Sequence, residues 1–96
     1  MDRQKILDLL KSYKEDNSSK KGIIALGLFG SFAREQHTEE SDVDIMIKTV
    51  DANPFIIVHI IEELEAELKL PVDIVRLREG MNPFLKRRIE RDGIYV

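Results

Sequence analysis

Apolar residues recur along this chain in patterns that divide it into elements. Ile6, Leu9, Leu10 and Tyr13 fall three and four residues apart, the spacing of one helical face. Asp2 stands where a capping side chain is wanted, so a first helix is predicted from Arg3 to about Glu15. The polar run Asp16-Asn17-Ser18-Ser19-Lys20-Lys21-Gly22 reads as the loop that ends it. Ile23 to Leu26 and Leu28-Phe29 form an apolar run of strand length, broken by Gly27 and stopped by Gly30. Ser31 to Glu35 is expected to make one short helix, and Gln36 to Ser41 a polar loop.

Beyond that loop the period changes to two. Val43, Ile45 and Ile47 alternate with Asp42, Asp44 and Met46, the pattern of a half-buried strand. Lys48 to Asn53 forms a turn, and Pro54 opens a long helix running to about Lys69. Ile57, Ile61, Leu64 and Leu68 are its predicted buried stripe, with Glu62, Glu63, Glu65 and Glu67 outside. Pro71 ends that helix and Val72-Asp73-Ile74-Val75 makes a third strand. Asn82 is placed to cap a last helix through Arg91, and Gly93 to Val96 can add a closing strand. This order predicts an α/β (α+β) fold, a small mixed β-sheet packed with helices, as one domain over residues 1–96.

The alternation has a chemical consequence. Asp42 and Asp44 project from one face of their strand, roughly 7 Å apart, while their apolar neighbours enter the core. Two such carboxylates repel each other by about 1 to 4 kcal/mol at close approach, and a cation between them relieves that. Oxygen ligands of this kind suit Mg²⁺, which takes one or two carboxylates plus waters and substrate phosphates. Asp73, flanked by Val72 and Ile74, points to the same face if its strand pairs with theirs. Strands disfavour aspartate, so its presence calls for a reason. Gly30 allows close approach of backbone to a phosphate, Ser31 offers a hydroxyl, and the following turn presents free N–H groups. A phosphate cradle beside metal carboxylates points to metal-assisted transfer of a nucleotide. Arg34, one turn on, can reach a triphosphate or pair with a nearby glutamate. The run Lys86-Arg87-Arg88 with Arg91 is the other candidate for phosphate or partner contact, against the plainer reading of a solvated helix face offset by Glu90, which is preferred; Arg76 and Arg78 read alike. His37 and His59 lack metal-ligand spacing and receive no role.

Composition narrows the classes. The chain has 96 residues, 43% of them hydrophobic and 34% charged, with a net charge of −3. That balance argues for a globular protein and against nucleic acid as the direct partner, since phosphate-backbone binding wants a basic excess. Without cysteine, neither a disulfide framework nor a thiolate zinc site can form. No apolar run reaches transmembrane length and the amino terminus is charged and amphipathic, so no membrane association and a cytoplasmic location are expected.

Gly30-Ser31, ten intervening residues and Asp42-Val43-Asp44 resemble the signature of the DNA polymerase β-type nucleotidyltransferase superfamily. The fuller text GSFAR…SDVD in so short a chain is similar to the minimal nucleotidyltransferase (MNT) family, antitoxin-like partners of HEPN proteins. The resemblance implies a polymerase β-like fold and transfer of AMP from ATP to a hydroxyl. It implies Asp42, Asp44 and Asp73 as catalytic ligands of two Mg²⁺ ions, with Gly30, Ser31 and Arg34 holding the nucleotide. It also implies an acceptor, a tyrosine of a HEPN toxin. Two other readings stay open: a non-catalytic nucleotide-binding antitoxin that acts by occlusion, and a small-molecule nucleotidyltransferase. Relatives of the latter kind carry an extra acceptor region for which this chain has no room. One departure is visible, because family members often have glycine after the motif arginine and here Glu35 follows Arg34.

Overall fold

A four-stranded sheet divides the molecule into two unequal layers in the computed structural model, which describes residues 1–96. Its elements in chain order are α1 (Arg3–Lys21), β1 (Ile23–Phe29), α2 (Gly30–Ala33), β2 (Val43–Thr49), α3 (Pro54–Leu68), β3 (Val72–Arg76), α4 (Pro83–Asp92) and β4 (Ile94–Tyr95). The sheet order is β3-β2-β1-β4. β1 runs antiparallel to β2 and β4, whereas β2 and β3 are parallel, joined by the α3 crossover. The mixed α/β architecture expected from the sequence is therefore present. No helix is long and apolar enough to cross a membrane.

The larger layer is the main core. Ile6, Leu10 and Tyr13 of α1 and Ile60, Leu64 and Leu68 of α3 pack on one face of the sheet, against Leu26, Leu28, Val43, Ile45 and Ile47. The buried stripe of α3 thus centres on Ile60, while the expected Ile57 and Ile61 are only partly buried at its flanks. The opposite face is covered by α4, whose Ile89 packs on Phe29 and Met46, with Leu77 and Met81 of the preceding connection beside them. By strand alternation Asp44 and Asp73 lie on that thinly covered second face.

Two local expectations are corrected. The stretch Asp16–Lys21 is not a loop but the last turns of α1, which ends only where Gly22 takes a left-handed conformation. The extension is held by side-chain bonds: Asn17 donates to the Tyr13 carbonyl, Lys21 to Asn17, and Lys21 pairs with Glu63 of α3 at 2.9 Å. Gly27 does not break β1. It lies within the strand, where a Cβ would run into Met46 Cε and come within 2.6 Å of the Ile94 carbonyl oxygen. Only a residue without a side chain lets β4 approach β1 this closely, a common reason for glycine inside a strand.

Candidate active site

The antiparallel register of β1 and β2 sets Phe29 opposite Asp44, so the turn that follows β1 lands beside that carboxylate. Gly30 opens the turn at φ 76°. A Cβ at Gly30 would overlap Oδ2 of Asp44 and sit 3.0 Å from its Cγ and 3.1 Å from its Cβ. Glycine is thus required twice, once by the left-handed backbone and once by the close approach. Ser31 is half-buried in the single turn of α2 that follows.

The parallel register of β2 and β3 pairs Asp44 with Asp73 as direct neighbours. Asp42 lies one residue before β2, just outside the ladder, and is exposed like Asp73, whereas Asp44 is half-buried. Burial pushes the Asp44 carboxyl above the usual carboxylate range, and the Asp73 charge pushes it further. The Arg88 charge opposes that rise, Asp42 adds to it, and Arg34 opposes it. These carboxylates do not close into a ready-made cage: no three acidic or histidine side chains converge on one point. An open, oxygen-only pair that repels itself fits Mg²⁺, whose shell is otherwise completed by water and substrate phosphate.

Of the two roles open to Arg34, the structure shows an ion pair, with an aspartate from the far end of the chain. Arg34 Nη1 lies 2.7 Å from Asp92 Oδ2, and its Nε donates to Gln36. Only 4% of the Asp92 side chain is exposed. It also accepts from Arg91 Nε and Nη2, both at 2.9 Å. The Arg91 hydrogen bonds, and after them that from Arg34, pull the Asp92 carboxyl down to about 2 against the effect of burial.

The basic run on α4 divides. Arg87 lies over the exposed ring of Phe84, its guanidinium carbon 5.7 Å from the centroid. Arg88 instead lies over Phe29, 5.7 Å from that ring centroid, on the sheet side that carries Asp44. Asp92 is the residue beside these carboxylates that sequence reasoning passes over, and Arg88 is singled out there only as one member of the basic run. Leu85, Arg88, Ile89 and Asp92 follow one another along one side of the helix, so the amphipathic face of α4 held the signal.

The loop after α2 follows the glycine path without a glycine. Glu35 adopts φ 58°, a region that favours glycine, and is anchored by Arg3 at 3.3 Å. His37 stacks on Phe32 with ring centroids 4.1 Å apart, and its Nδ1 is buried with no hydrogen-bond partner. Both rings line a 510 Å³ cleft beside the loop. His59 is exposed and pairs with Glu63.

A glycine turn pressed on a half-buried aspartate, with a second aspartate in register on the next strand, is an arrangement that can hold a phosphate and its metal side by side. Residues 10–96 match the nucleotidyltransferase domain model, and the chain belongs to that family of enzymes. It is similar to the "Putative protein adenylyltransferase MJ1379" of Methanocaldococcus jannaschii, 39% identical over 94 residues, covering 95% of this chain and 94% of that one. Among solved structures it resembles a chain of a toxin–antitoxin complex with AMP-PNP, with TM-score 0.72 and 25% identity, over 99% of this chain and 72% of the other. The fold also matches, with TM-score 0.71 and 21% identity, a chain from a tri-AMPylated Shewanella oneidensis HEPN toxin in complex with MNT antitoxin, over 97% and 70% of the two chains.

Proposed function

We propose that this nucleotidyltransferase moves AMP from ATP to a tyrosine hydroxyl of a HEPN-type toxin and so acts as an antitoxin by protein adenylylation. The observation that carries the reading is the register of Asp44 with Asp73, beside a Gly30 turn whose backbone lies against the Asp44 carboxylate. The names of its relatives support it: one is called a protein adenylyltransferase, one complex holds AMP-PNP, and another contains an AMPylated HEPN toxin.

The chemistry follows from the residues. Gly30 lets the chain approach the β- and γ-phosphates, and Ser31 offers them a hydroxyl donor. Asp42, Asp44 and Asp73 would hold two Mg²⁺ ions. When bound, Mg²⁺ neutralises triphosphate charge and acidifies the acceptor hydroxyl. The acceptor oxygen bonds to the α-phosphorus while the bond from that phosphorus to the α,β-bridging oxygen breaks, and pyrophosphate departs. Asp73, exposed on β3, accepts the proton released by the acceptor.

The test uses ATP labelled in the α-phosphate, Mg²⁺, this protein and a HEPN-type toxin as the acceptor protein. Label on a tyrosine-containing peptide of the HEPN protein is expected. Label found only on a small molecule, or on no acceptor, contradicts the proposal.

A further inference from the structure

The metal carboxylates and the glycine turn are in place, yet the cation that would meet the triphosphate is not the one the motif suggests. The motif arginine, Arg34, has its guanidinium already engaged by Asp92 at 2.7 Å and by Gln36. Arg88 is different. None of the chain's ion pairs involves it. Asp92 stands four residues further along the same helix face, a spacing at which arginine and aspartate pair readily. That carboxylate nevertheless bonds Arg34 and Arg91 instead, which leaves Arg88 uncommitted.

Its position is set by packing. Ile89, the neighbour of Arg88, is buried against Phe29 and Met46 and fixes α4 on the sheet. The Arg88 guanidinium carbon lies 5.7 Å from the centroid of the Phe29 ring, itself 1% exposed. Phe29 is both the residue before Gly30 and the register partner of Asp44. A guanidinium lying on its ring is therefore next to the turn and next to the carboxylate. No ion pair joins it to that carboxylate.

We infer that Arg88 is the side chain that receives the β- and γ-phosphates of the nucleoside triphosphate and holds the departing pyrophosphate, with Arg34 fixed by Asp92 as a structural brace between α2 and α4. This rests on the nucleotidyl-transfer reading above. A guanidinium held over an aromatic face and in no ion pair has N–H groups left to donate, and its fork matches phosphate oxygens in a bidentate fashion.

The experiment compares wild type, Arg88→Gln, Arg88→Lys and Arg34→Gln. AMP-PNP affinity is measured by calorimetry in Mg²⁺, KM for ATP and kcat in the transfer assay, and melting temperature without ligand. Loss of a charged hydrogen-bonded pair should weaken AMP-PNP binding roughly tenfold to a hundredfold in Arg88→Gln. Arg88→Lys should recover part of that, and the unliganded melting temperature should stay near wild type. Arg34→Gln should show the reverse, a clear fall in melting temperature with a smaller loss of AMP-PNP affinity. If Arg88 only offsets the Asp44 charge, Arg88→Gln lowers the melting temperature and leaves AMP-PNP affinity unchanged, which overturns the inference. If wild type binds no AMP-PNP in Mg²⁺, the nucleotidyl-transfer reading fails and this one falls with it. Binding by wild type that Arg88→Gln matches defeats the Arg88 assignment alone.

Discussion

Gly30→Ala tests how closely the turn and the carboxylate are fitted. At φ 76° a residue with a Cβ is strained, at a cost of about 1 to 2 kcal/mol. The new methyl would also overlap Oδ2 of Asp44 and crowd its Cγ at 3.0 Å, so the carboxylate or the turn must move. Overpacking of this kind costs about 1 to 3 kcal/mol. The stiffer unfolded chain returns about 0.4 to 1 kcal/mol, leaving a net loss of about 1 to 4.5 kcal/mol. For a chain of this size that lowers the melting temperature by about 4 °C or more. The assay is thermal unfolding followed by circular dichroism at neutral pH with chelator present, repeated in an Asp44→Gly background. There the overlap is gone and only the strain remains, so the cost of Gly30→Ala should fall by about 1 to 3 kcal/mol. Equal costs in both backgrounds, or a cost below about 1 kcal/mol in the native one, would refute the close packing of turn on carboxylate. Transfer activity should be lost in Gly30→Ala even where the protein remains folded, because Asp44 is displaced.

Three further outcomes are expected. The Asp92 carboxyl lies at about 2 when folded against an ordinary 3.8, so its stabilising contribution is present above about pH 4 and is lost as the pH falls towards 2. Asp92→Asn should cost about 1 to 2 kcal/mol at pH 7, its arginine partners being partly solvated, and chemical denaturation should show the gap to wild type closing between about pH 4 and pH 2; a gap unchanged down to pH 2 contradicts the ion-pair account. Glu35→Gly should raise stability by about 1 kcal/mol by relieving the left-handed backbone at φ 58°, even though the Arg3 pair is given up; a loss in urea denaturation would show that the pair matters more than the strain. Asp73→Ala should lower kcat roughly a hundredfold or more while changing AMP-PNP affinity far less; abolished nucleotide binding with intact chemistry would reverse the roles given to Asp73 and Asp44.

Much of the site can be read from the chain because it depends on period and register over short distances. Asp44 and Asp73 each sit between apolar strand residues, so pairing of their strands is enough to bring them to one face. Gly30 is recognisable as a turn residue, though its contact with Asp44 needs the antiparallel register. What the sequence hides depends on partners far along the chain. α1 continues through Asn17, Ser18 and Ser19, residues that favour loops by themselves, because Lys21 finds Glu63 on α3. In α3 the residues Ile56, Ile57, Ile60 and Ile61 are all apolar, so only packing decides that Ile60 faces the core. Arg34 and Asp92 are 58 residues apart, and nothing local tells Arg34 apart from a phosphate ligand. Arg88 looks like its neighbours Lys86 and Arg87 until α4 is laid on Phe29.

The central claim is that the carboxylates on β2 and β3 serve transfer of AMP to a protein hydroxyl, and intact-mass spectrometry of the HEPN protein tests it most directly. The HEPN protein is incubated with ATP, Mg²⁺ and either wild type or Asp44→Asn, and its toxicity is scored in parallel. The account predicts one or more added AMP groups and a silenced toxin with wild type, and neither with a folded Asp44→Asn protein. A toxin that is silenced by both proteins while its mass stays unchanged would contradict the account and point to occlusion.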